Sequence, residues 1–223
     1  MRRSFTVTPH FADRREAGHQ LAERLLDAPR ADLVLALPRG GVPVAFEIAR
    51  TLDLPLSLIM VRKIGAPGRP EFGIGAVVEG DPPQLFLNAE LVEMAGASDA
   101  YLADEKARQL KTIEDRRTRY LGDRPAVDVA GRAVIVVDDG IATGGTARAA
   151  LEAMHKQGAR HVTLAVPVAS REALEQLRDW ADEIVCLSAP IDFSAVGSHY
   201  EEFDQTTDEE VIELLAQTKA PES

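Results

Sequence analysis

The chain has 223 residues, with 25 Lys+Arg against 36 Asp+Glu for a net charge of −11, 45% hydrophobic residues and one cysteine. That length supports a proper core, and the expectation is a single domain over residues 1–223. Cys186 alone makes neither an internal disulfide nor a four-thiolate zinc site, which points to a reducing compartment. The start is basic (Arg2, Arg3) without an apolar run of signal length, and no stretch approaches the ~20 apolar residues of a membrane span. A cytoplasmic location is expected. From Ser170 onward there are three basic residues and fourteen acidic ones, so the net charge sits in the last part of the chain. Such a tail repels a phosphate backbone and argues against nucleic-acid binding through charge.

Apolar runs of strand length alternate with segments of helical period, which reads as an α/β fold with a largely parallel sheet. A first helix is expected from Asp13, capped with Glu16 in the return position and carrying Ala17, Leu21 and Leu25 on one face, with Pro29 as its stop. The continuous run Leu33 to Leu37 suits a strand covered on both faces. A helix with Val44, Ile48 and Leu52 follows, then a second buried strand from Leu56 to Val61. Residues 62–83, rich in Gly and Pro, read as a loop with a short strand or hairpin around Ile74 to Val78. Helix is expected across Ala89 to Leu121, broken near Gly96. Its charged second half is either a solvated face or the seam of a homo-oligomer. Strands at Ala133 to Val137, His161 to Val166 and Glu183 to Leu187 alternate with helices carrying Leu151 and Leu174. A final helix is capped by Thr207 with Glu210 in the box position.

The chemistry concentrates in Val134 to Thr146, VIVVDDGIATGGT. A buried strand ends in two adjacent acids at the sheet edge where open α/β folds bind ligands. Asp138 and Asp139 suit sugar hydroxyls, a hydrated divalent cation, or positive charge nearby. Thr143-Gly144-Gly145-Thr146 opens a helix, and glycine lets backbone N–H groups approach an anion closely, as for a phosphate. Gly145 stands where a Walker A loop needs Lys, and no G-x-G-x-x-G follows a strand, so neither nucleotide fingerprint applies.

This string resembles the phosphoribosyl pyrophosphate (PRPP) motif of the type I phosphoribosyltransferase family, departing at Gly140, where the family more often has a bulky apolar residue. The resemblance implies a type I phosphoribosyltransferase-like core over about residues 31–187, with a variable hood in residues 190–223 and the N-terminal segment. It implies that Asp138 and Asp139 hold the ribose 2- and 3-hydroxyls and that Ala142, Thr143, Gly144, Gly145 and Thr146 cradle the 5-phosphate. Leu37 to Pro43 looks like the family's pyrophosphate loop, with Arg39, Gly40 and Gly41 gripping the diphosphate and a cis peptide often found there. Arg62 and Lys63 stand where the family places basic residues facing the pyrophosphate, ahead of a lid. Phe193 and Tyr200 are candidates to stack on a base. The implied activity is transfer of 5-phosphoribosyl from PRPP to a nitrogen acceptor, with Mg²⁺ held mainly through PRPP and water near the two acids. The acidic hood favours a neutral base. The alternative is a non-catalytic sensor of PRPP or a nucleotide on the same fold, or a PRPP hydrolase with no base acceptor.

Overall fold

The computed structural model describes residues 11–28, 30–124 and 127–221. Pro29, the expected helix stop, and residues 1–10 of the expected hood lie outside the described residues. In chain order the first elements are α1 (Arg14–Leu25), β1 (Leu33–Ala36), α2 (Gly41–Leu52) and β2 (Leu56–Leu58). Next come β3 (Val61–Ala66), β4 (Arg69–Val78), β5 (Gln84–Leu87), α3 (Ala89–Ala95) and α4 (Asp99–Leu121). The remainder is β6 (Ala133–Val137), α5 (Gly145–Lys156), β7 (His161–Val168), α6 (Arg171–Leu177), β8 (Glu183–Ser188) and α7 (Asp208–Ala216).

Five strands form a parallel sheet in the order β2-β1-β6-β7-β8, with Ala36 opposite Val137 where β1 meets β6. Successive side chains of a strand point to opposite faces, and the two cores follow that period. Val34, Ala36, Ile135 and Val137 pack into the layer built from α1, α2, α4 and α7, whereas Leu33, Leu35, Val134 and Val136 pack under α5 and α6. Burying each of the Val, Leu and Ile side chains among these contributes roughly 1.5–3 kcal/mol, and Ala36 less. The capping residues act locally: Asp13 accepts from Glu16 N at 2.8 Å, while the Glu16 carboxylate receives the N–H of Ala12. Thr207 accepts from Glu210 N at 3.1 Å, and Gly96 divides α3 from α4 at φ 63°.

Between β2 and α3 the structure differs from the expected long strand and loop. The parallel strand ends at Leu58, and Val61 opens a separate antiparallel sheet of order β3-β4-β5. An uninterrupted apolar run carries no mark of the point where a chain leaves one sheet for another. Gly65, Gly73 and Gly75 lie inside this sheet because neighbours come close. A Cβ on Gly75 would stand 2.3 Å from Phe86 O, and one on Gly65 2.4 Å from Pro70 O.

Glu79 ties the two sheets together. Its Oε1 accepts from Met60 N at 2.9 Å, and Arg117 Nε lies 3.6 Å from its Oε2. Burial dominates over both partners and pushes the Glu79 carboxyl from its ordinary 4.5 up to about 6. The unfolded chain therefore releases this proton first, and stability present below pH 4.5 is lost as pH rises through 6. Glu79→Gln keeps an acceptor for Met60 without the charge. It is expected to stabilise the protein at pH 8 by up to about 2 kcal/mol, with the gain vanishing below the ordinary carboxylate range. Urea denaturation at the two pH values checks this.

Helix α1 lies tightly on α2: a Cβ on Gly18 would stand 2.7 Å from Val44 O and 2.9 Å from Glu47 Cβ. Alanine gains about 1 kcal/mol in helix propensity, but the obstacle is backbone, and overpacking costs typically 1–3 kcal/mol. Gly18→Ala is expected to lower Tm, at roughly 2–4 °C per kcal/mol for this chain length, in a thermal melt.

Candidate active site

Because β1 and β6 are neighbours, the turns that leave them lie side by side. Leu37 N donates to Val137 O at 2.9 Å, and the chain then passes a cis Pro38–Arg39 peptide into Gly40 and Gly41 at the start of α2. The two turns interlock through the glycines. A Cβ on Gly40 would fall 2.0 Å from Asp139 Oδ2, and one on Gly41 would fall 2.6 Å from Val137 O and 3.0 Å from Asp138 Cα. The structure thus brings Gly40, Gly41, Asp138 and Asp139 to one point at the C-terminal edge of the sheet.

The following turn is open toward solvent. Ala142, Thr143, Gly145 and Thr146 are exposed, whereas Gly144 is buried at φ 77° and caps α5, a conformation suited to glycine. The first N–H groups of a helix lack intrahelical partners and favour an anion. This cradle is fixed from behind: Ser170 Oγ donates to Ala142 O at 2.7 Å, and Ile141 N donates to Val168 O at 2.9 Å. At Gly140 a Cβ would stand 2.4 Å from Val196 Cγ1 and 3.1 Å from Val168 Cγ1, so these side chains fill the space that a bulkier residue would take.

Arg14, from α1, is a site residue that no local pattern announces. Its Nε donates to Asp139 Oδ2 at 2.8 Å, its Nη1 to Asp204 O at 2.7 Å, and its guanidinium lies 3.8 Å from the centre of the Phe203 ring. Burial, followed by the charge of Asp139, pushes the Asp138 carboxyl well above the usual range. Burial also raises Asp139, with Arg14 pulling against it, and adjacent carboxyls of this kind titrate as a pair.

The remaining expected residues are spread more widely. Arg39 Nη1 donates to Asp208 Oδ1 at 3.1 Å at the start of α7. Arg62 Nε donates to Gln109 Oε1 at 3.0 Å and Lys63 Nζ to Glu71 O at 2.8 Å, and among the described residues neither forms a hydrogen bond or ion pair with Asp138, Asp139 or Arg39. Tyr200 is buried against Phe11 and Phe203, and its hydroxyl donates to Asp139 O at 2.6 Å. That placement makes it a support beneath the acids, and its ring has no free face for a base. Phe193 is partly exposed and stacks on His199 at 5.6 Å. Among the described residues no cluster of three or more His, Cys, Asp or Glu is placed to hold a metal, and no helix is long and apolar enough to cross a membrane.

The chain matches the phosphoribosyl transferase domain over residues 13–202. Two Mycobacterium tuberculosis proteins (strains CDC 1551 and H37Rv), provisionally named phosphoribosyl transferases, are 42% identical over 206 residues, 92% of this chain. The chain spans 46% of the length of those relatives. An adenine phosphoribosyltransferase of strain H37Rv is 30% identical over 73% of this chain and 59% of that protein. The crystal structure of TT1426 from Thermus thermophilus is similar at a TM-score of 0.81 and 47% identity, covering 95% of this chain and 100% of that one. The matched span includes both interlocked turns and the strands that carry them, and the chain belongs to the phosphoribosyltransferase family.

Proposed function

We propose that the chain transfers a 5-phosphoribosyl group from PRPP to a neutral nitrogen base in the cytoplasm, releasing pyrophosphate. The observation that carries this reading is the contact of Asp139 with Gly40, which holds the acids and the Arg39 turn against one another. Breaking the anomeric bond builds positive charge on the sugar and negative charge on the departing diphosphate. Preorganised groups of opposite sign at the two places stabilise that separation. Asp138 and Asp139 lie under the ribose and accept from its hydroxyls, and Ala142 to Thr146 receive the 5-phosphate. Arg39 meets the diphosphate with a planar fork of donors. Arg62 and Lys63 join it only when the β3–β4 hairpin folds over the site, since their contacts are with Gln109 and Glu71. Phe193, half-buried and stacked on His199, is the candidate to meet the acceptor.

Mg²⁺ supplies charge neutralisation on the diphosphate when bound. The protein's donor set fits an ion carried mainly by substrate oxygens and water, because Asp138 and Asp139 offer two carboxylates and Asp139 is already committed to Arg14.

Pyrophosphate release from PRPP and Mg²⁺ with a panel of adenine, hypoxanthine, guanine, uracil and orotate tests this. Release that depends on a neutral base is expected. PRPP binding without release under any condition marks a sensor, acceptor-independent release marks a hydrolase, and use of orotate alone defeats the charge argument.

A further inference from the structure

Arg39 does not meet the hood at random. The Asp208 carboxylate receives Arg39 Nη1 at 3.1 Å, the Tyr120 hydroxyl at 2.6 Å and Arg119 Nη1, so groups from the C-terminal end of α4 and from the pyrophosphate-loop turn converge on the first residue of α7. Thr207 caps that helix, whose N-terminal end favours a negative charge. The Tyr120 and Arg119 hydrogen bonds hold the Asp208 carboxyl down to about 2, so it is ionised at any working pH. Tyr120, one of the three donors, is itself buried.

We infer that Asp208 is a positioning residue, which fixes the guanidinium of Arg39 in the orientation that receives the diphosphate. The inference rests on the proposed role of the Arg39 turn. A long arginine side chain loses rotamer freedom when it is immobilised, and a partner that has already ordered it improves binding by that route. Asp208 takes only Nη1, and Nε and Nη2 have no partner among the described residues, so most of the fork stays available. The obvious objection is that a carboxylate beside the site repels an anion. Arg39 and Arg119 both pair with Asp208, but Glu209 and Glu210 share its helix turn, so net charge at this seat does not by itself favour a diphosphate. Charge alone predicts that neutralising Asp208 tightens diphosphate binding, and positioning predicts the opposite, so the sign of the effect decides.

Titration calorimetry with pyrophosphate in the presence of Mg²⁺, and separately with ribose 5-phosphate, compares the wild type with Asp208→Asn. Pyrophosphate affinity is expected to fall by roughly 10-fold or more, the scale on which residues that orient metal ligands act. Ribose 5-phosphate affinity is expected to stay unchanged. In the Arg39→Ala background the same substitution should add no further loss, and Tyr120→Phe, which removes one donor from the seat, should give a smaller version of the effect. Equal or tighter pyrophosphate binding by Asp208→Asn overturns the inference, as does an equal loss for both ligands, which marks a general structural role. Failure of the wild type to bind either ligand removes both this inference and the proposed function. Binding by the wild type with no change in the variant removes the inference alone.

Discussion

Gly40→Ala is expected to lower PRPP turnover by about 100-fold while the protein still folds, because misplacing a reacting or positioning group by about 1 Å costs that much. Gly40 has φ −58° and ψ −34°, which alanine adopts freely, so the effect comes from contact alone. The added Cβ would lie 2.0 Å from Asp139 Oδ2 and 2.5 Å from its Cγ. What gives way is the end of a side chain: the carboxylate must swing off Gly40, breaking its 2.8 Å bond with Arg14 Nε and leaving the backbone in place. Gly41→Ala is the contrasting control. Its Cβ would meet Val137 O and the Cα of Asp138, both backbone, so it should loosen the junction of β1 and β6 and lower Tm as well. Steady-state kinetics alongside thermal melts separate the two outcomes.

Asp139→Asn is expected to reduce turnover by about 10²–10³-fold, the scale of removing one preorganised electrostatic group from a reacting centre. Stability should hold or improve, because the carboxylate is one that burial already disfavours and the amide oxygen can still accept from Arg14. The pH profile carries a further signature. The charge of Asp139 is the second cause that raises Asp138, after burial. Removing that charge lets Asp138 ionise at lower pH, so the acid limb of the residual activity should move downward. An acid limb that stays put would show that the two carboxyls do not interact.

The sheet was legible because its strands are covered on both faces and read as continuous apolar runs, and because the turn residues between them are distinctive. The same logic blurred at Leu56 to Val61, where one apolar run serves two sheets. Glycines at 65, 73 and 75 read as loop punctuation, yet in the folded chain they admit close neighbours inside strands. At the site, the acids, the phosphate-type turn and Arg39 to Gly41 could be read locally, since each is a contiguous string. Arg14 and Asp208 could not. Their partners lie 125 and 169 residues away in sequence, and an Arg at a helix start or an Asp after a Thr cap is ordinary in composition. Tyr200 was legible as an aromatic near the site, but whether its ring faced a ligand or the core depended on Phe11 and Phe203 closing around it. The packing beside Gly140 also required the fold, because Val196 reaches that turn only through tertiary packing.

A crystal structure of the protein with PRPP and Mg²⁺ tests the proposed transfer site most directly. The 5-phosphate is expected in the turn from Ala142 to Thr146, the ribose hydroxyls on Asp138 and Asp139, and the diphosphate against Arg39. A ligand bound elsewhere, or a turn that stays empty at saturating PRPP, would contradict it.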